Sequence, residues 1–120
     1  MKAASEALRL RIAEMLDAIG AAEDLIGGLE FDTYETLRGQ RRGVERCMEI
    51  VSHGSRNLPA ELTASHLSVD WSDLRAIGAA LRVGNVTMDD RAIWLAATKL
   101  LPEAEIALKA ILASLPPMEK

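Results

Sequence analysis

Phe31, Tyr34, Trp71 and Trp94 are all the aromatic residues this chain of 120 residues contains. That scarcity constrains the fold more than any other feature, because the core must be built from Leu, Ile, Val, Met and Ala. Such a palette packs well between helices and poorly in sheets, which favour aromatic and β-branched side chains. The apolar spacing agrees. Ile12, Met15, Leu16, Ile19, Ala22 and Ile26 recur at steps of three and four, and so do Ala97, Leu101, Ala104, Leu108, Ile111 and Leu115. Each set lines one face of a helix.

The first helix is expected over about Ala4–Gly27, stopped by the Gly27-Gly28 pair, which accepts left-handed backbone angles. A second starts at Asp32 or Thr33 and runs to about Asn57, burying Val44, Cys47, Met48 and Val51, with Pro59 beyond its end. A short helical turn covers about Ala60–His66. Asp70 is the expected N-cap of a third helix from Trp71 to about Val83. A fourth starts near Asp89-Asp90, is kinked or restarted at Pro102 and closes at Pro116-Pro117. Long helices with short connections give an all-α, four-helix up-down bundle, with a short extra helix between the second and third long ones. One domain over residues 1–120 is expected from the length.

Hydrophobic residues are 49% and charged residues 27% of the chain, the balance of a folded globular protein. The net charge of -4 argues against a protein whose main task is gripping bulk nucleic acid, though it leaves room for a local basic patch. No run approaches the ~20 apolar residues of a membrane span, and charged residues interrupt the N-terminal segment, so a cytoplasmic protein with no membrane contact is expected. Cys47 is the lone cysteine, which excludes an internal disulfide and a cysteine-based zinc site. His53 and His66 are far apart and have no partner at helical spacing, so neither a metal nor another cofactor is expected.

The basic residues of the second helix offer more. Arg38, Arg42 and Arg46 share a face at steps of four, with Arg41 beside them. They form either a phosphate-contacting stripe for RNA or a solvated face of intrahelical ion pairs, because Glu35, Glu45 and Glu49 lie within one turn of an arginine.

The segments Gly43–Ser52, Ser55–Pro59, Val69–Gly78 and Asp89–Trp94, followed by Leu101-Pro102, together resemble the HepT-like branch of the HEPN superfamily. The resemblance runs in order from about Ile12 to Leu112. It implies a homodimeric four-helix bundle related to metal-free toxin ribonucleases, which pair with a small nucleotidyltransferase antitoxin that in some systems adds AMP to a tyrosine. The family's active-site motif is an Arg, a short spacer, a His, one residue and a Tyr at the end of the third helix. An Asn often stands four positions before the His. The chemistry needs a group to help deprotonate the 2′-hydroxyl and a cation to offset charge at phosphorus.

In this chain the motif is degenerate. By register with Trp71 and Asp89, Ala79 stands at the Asn position, Val83 at the His and Asn85 at the Tyr, and no His follows His66. Valine cannot carry a proton, and Asn85 offers no phenol. Arg75 and Arg82 are candidate remnants of the cationic part. The expectation is therefore a catalytically inactive relative that binds RNA, a nucleotidyltransferase or an active paralogue. Its RNA-binding candidates are Arg38, Arg42, Arg46, Arg75 and Arg82. The alternative is an active ribonuclease toxin with a relocated site, for which His53, Arg46 and Arg75 are the candidate constellation.

Overall fold

The computed structural model describes residues 2–82 and 90–116. Among these residues the protein is all-helical and without strands, compatible with an all-α bundle. Helix α1 spans Lys2–Ile26, α2 Phe31–Thr36, α3 Arg38–Arg56, α4 Ala60–Ala64, α5 Trp71–Arg82, α6 Asp90–Leu95 and α7 Leu101–Ser114. A π-helical turn, Ala96–Leu100, joins α6 to α7.

The periodic apolar faces are the core. Ile12, Met15, Ile19 and Ala22 of α1 are buried against Val44, Met48 and Val51 of α3 and against Leu101, Ala104, Leu108 and Ile111 of α7. Truncating a Leu at such a site to Ala typically costs about 2–5 kcal/mol. Helix α3 is the central element, flanked by α1 and α5. Three glycines permit the close approach. A Cβ at Gly43 would meet Leu25, one at Gly54 would meet Met15, and one at Gly78 would overlap Ser52. The first two pairs make α3 antiparallel to α1, and Gly78–Ser52 together with the Arg75–Ser55 hydrogen bond makes it antiparallel to α5. Arg9 of α1 ties down the far end of α7 by donating to the carbonyls of Leu115 and Pro116.

Two termini follow the sequence rules. Gly27 and Gly28 take φ of 45° and 78° and end α1. The amide of Asp73 donates to Asp70 Oδ1 at 3.0 Å, the N-cap bond that starts α5.

One expectation needs correction. A single helix from Asp32 or Thr33 to Asn57 is instead two, because Leu37 leaves the helical region with φ -101° and ψ 91°. Helix α2 begins at Phe31 and has no side-chain cap. An aromatic cluster positions it: Tyr34 is fully buried, with its ring 4.9 Å from that of Trp94, and Phe31 lies 6.0 Å from Trp94. The Arg91 guanidinium sits 4.4 Å over the Phe31 ring. At Pro102, where a kink or a restart is expected, the helix restarts: α7 begins at Leu101 with Pro102 in its first turn. The chain enters α7 through the π-helical turn, in which the Leu101 amide donates to the Ala96 carbonyl five residues back. That wider turn absorbs the missing proline amide just upstream of α7.

Candidate nucleic-acid interface

Helix α3 presents its arginines in two directions. Arg38, Arg42 and Arg46 are exposed along one face. Arg41 turns inward and pairs with Asp90 of α6 at 3.0 Å, rather than with Glu45 one turn along its own helix. Arg46 has an intrahelical carboxylate, Glu49, at 3.8 Å, but its side chain is 72% exposed. So loose a surface pair contributes little. Arg38 and Arg42 have no ion pair among the described residues. The solvated face of intrahelical pairs therefore accounts for Arg46 only in part and for neither Arg38 nor Arg42.

The exposed row runs into a groove of about 530 Å³ between the N-terminal half of α1 and the C-terminal half of α3. Arg11 and Glu14 line it from α1, and Arg46, Glu49 and His53 from α3. Leu10 and Ile50 add apolar wall, and the groove reaches α5 at Gly78. Residues 46, 49, 50 and 53 fall on one face because helical neighbours lie three and four apart. The His53 side chain is exposed, and its carbonyl accepts the Asn57 side-chain amide at 2.9 Å. Arg11 Nη1 donates to the Asn57 carbonyl at 3.4 Å, a long bond that leaves most of its donors for a ligand.

The candidate remnant Arg75 lies elsewhere. Its guanidinium donates to the Ser55 carbonyl at 3.1 Å. Its own carbonyl accepts the Ser52 hydroxyl at 3.0 Å and Arg56 Nη2 at 3.1 Å. Arg75 Nε is buried without a hydrogen-bond partner among the described residues. These contacts clasp α5 to α3, so Arg75 acts structurally and is absent from the groove lining. The structure thus brings His53 and Arg46 together and leaves Arg75 apart from them. Ala79 is half-buried on α5. Arg82 closes that helix with its side chain outside those described, and Val83 and Asn85 lie outside the described residues.

His66 is half-buried, and its carbonyl accepts the Trp71 indole N–H at 3.0 Å. Cys47 is buried; burial pushes its thiol pKa up, partly offset by Arg46. A thiol held neutral is a poor nucleophile. Among the described residues no three His, Cys, Asp or Glu side chains come together to hold a metal ion, and no helix is long and apolar enough to cross a membrane.

Sequence reasoning missed Arg11, Glu14 and Glu49. Each is an ordinary surface charge within its own helix. They become part of a site only because the Gly54–Met15 contact sets the register of α1 against α3.

No protein-family model and no solved structure matches the chain. It is similar to a protein of Caldanaerobacter subterraneus subsp. tengcongensis named "Putative RNase TTE0752". The two are 28% identical over 87 residues, covering 72% of this chain and 78% of that protein. This similarity supports a ribonuclease-like relationship.

Proposed function

We propose that the protein is a HepT-like HEPN protein that binds RNA along α3 and lacks the family's cleavage centre. The carrying observation is the exposed row of Arg38, Arg42 and Arg46, two of which have no ion pair among the described residues. Affinity for a polyanion comes largely from such cations, and a local row suffices in a chain of net charge -4. The order of the resembling sequence blocks and the ribonuclease-named relative support the same reading. The missing centre rests on the register that the resemblance implies: it puts Val83 and Asn85 at the His and Tyr positions, and no histidine follows His66.

On this reading the helices form a four-helix up-down bundle, and a second copy of the chain completes a homodimer. Leu67 and Leu95, 83% and 54% exposed beside an apolar groove of about 750 Å³, are surplus apolar surface of the kind an interface covers. A small nucleotidyltransferase or an active paralogue is the expected protein partner.

The test is RNA binding by fluorescence anisotropy across a salt series. The wild-type chain is expected to bind labelled RNA and leave it intact. Replacing Arg38, Arg42 and Arg46 with Ala should reduce the dependence of log K on log salt by about 2, from roughly 0.7 per cation on a single strand. Absence of wild-type binding, or an unchanged salt slope in the variant, overturns the reading.

A second reading, a relocated-site RNA endonuclease toxin, is favoured by one observation: His53 and Arg46 line the same groove. A histidine to move a proton and a cation beside phosphorus are the minimum for metal-free transesterification. It requires that the purified wild-type chain cut RNA and that His53→Ala abolish cutting.

A further inference from the structure

The composition of the α1–α3 groove carries more than a generic basic surface would. Each wall brings one cation and one carboxylate, Arg11 and Glu14 from α1 and Arg46 and Glu49 from α3, so its formal charges cancel, with His53 on the same lining. A plain phosphate trap would gain nothing from two carboxylates. A nucleotide needs both signs, because its phosphate accepts from guanidinium while its base edge and ribose hydroxyls donate to carboxylate. At 3.8 Å, the Arg46–Glu49 separation exceeds a direct hydrogen bond, so neither group is saturated by the other. The volume of about 530 Å³ falls within the range of small-molecule sites and admits one nucleotide but no duplex. Leu10 and Ile50 supply apolar wall, and the exposed His53 ring offers a π-face on which a base can stack. The arginine row of α3 enters the groove at Arg46, so a strand following the row arrives phosphate first.

We infer that this groove is a single-nucleotide subsite that takes one unstacked nucleotide of single-stranded RNA. Arg11 and Arg46 hold its phosphate, Glu14 and Glu49 accept from the ribose 2′-hydroxyl and the base edge, and His53 stacks on the base. The inference rests on the RNA-binding reading above and specifies the form of RNA: single-stranded, and ribose rather than deoxyribose, because the 2′-hydroxyl is one of the donors.

The test uses the full chain and three labelled probes of one sequence: single-stranded RNA, single-stranded DNA and duplex RNA. Single-stranded RNA is expected to bind tightest. His53→Ala should weaken it about 5- to 150-fold, the range for removing one stacking partner, and leave duplex binding unchanged. His53→Trp should recover the loss, which a merely structural role for His53 would not allow. Arg38→Ala with Arg42→Ala, outside the groove, should weaken single strand and duplex alike. Equal binding of single strand by wild type and His53→Ala, or equal losses on duplex and single strand, overturns the subsite while leaving the arginine row intact. If the wild-type chain binds none of the probes, the parent reading fails, and the subsite is then decided by titrating 5′-AMP and 5′-GMP and following the His53 ring by NMR. Movement of that ring, reversed by Arg11→Ala, supports a mononucleotide site; no movement overturns it.

Discussion

Gly78 on α5 lies so close to Ser52 on α3 that a single methyl group at position 78 would overlap the Ser52 side chain. Ser52 cannot easily turn away, because its hydroxyl donates to the Arg75 carbonyl at 3.0 Å. Gly78→Ala should therefore lower unfolding stability by about 1–3 kcal/mol, the usual cost of overpacking, despite the better helix propensity of alanine. Gly20 is the internal control. It also lies inside a helix, but a Cβ there meets nothing within 4 Å. Gly20→Ala should be stabilising by about 0.5–1 kcal/mol. Urea melts of both variants check the pair, and equal effects would mean that α3 and α5 do not touch at Ser52.

Arg75 tests the separation of scaffold from site. Its guanidinium bond to the Ser55 carbonyl is half-buried and charge-assisted, so Arg75→Ala should cost about 1.5–3 kcal/mol of stability. RNA affinity measured well below the melting temperature should not change, because Arg75 is absent from the groove lining. A loss of affinity without a loss of stability would return Arg75 to the binding surface.

Tyr34 gives the protein an alkaline limit. Its phenol is fully buried between α3 and α6 residues, and its pKa is pushed up to about 12, first by burial and then by Glu45 and Asp90, with Arg41 opposing. The folded-state pKa lies above the unfolded value of about 10, so the unfolded chain releases this proton first. Stability is thus fully present below pH 10 and falls as pH rises from about 10 to about 12, by on the order of 2–3 kcal/mol. Tyr34→Phe removes the titrating group and should flatten that part of the profile. Stability against pH for the two chains, taken by chemical denaturation from pH 8 to 11.5, isolates the Tyr34 contribution from those of other groups titrating in the same range.

The helical class and most of the core were legible because they depend on local periodicity. Ile12, Met15 and Ile19 share a face whatever they pack against, and the Asp70 cap is local to its own turn. The break at Leu37 was not legible, since Tyr34 is drawn inward by Trp94, a residue remote in sequence. At Pro102 the restart was legible as one of two alternatives, but its π-helical form was not, because the choice depends on the surrounding packing. The site divides the same way. The row of Arg38, Arg42 and Arg46 follows from a step of four along one helix. The inward turn of Arg41 to Asp90, the clasp at Arg75 and the groove shared with α1 depend on how separate helices meet.

The motif positions that the HepT-like resemblance implies supply the last prediction. If the HepT-like register is correct, restoring the family residues with Ala79→Asn, Val83→His and Asn85→Tyr should produce metal-free RNA cleavage where the parent chain has none, leaving cyclic phosphate ends. Proton transfer by a placed histidine contributes about 10²–10⁴-fold, well within reach of a gel assay. The histidine still needs a cation beside the phosphate. Arg75 is held to the Ser55 carbonyl, so that role falls to Arg82, the neighbour of position 83 in the chain. Arg82→Ala in the restored chain should then abolish the gain while Arg75→Ala, assayed at a temperature where it stays folded, does not. Loss of cleavage on replacing Arg75 alone would mean that its guanidinium leaves Ser55 to reach the substrate.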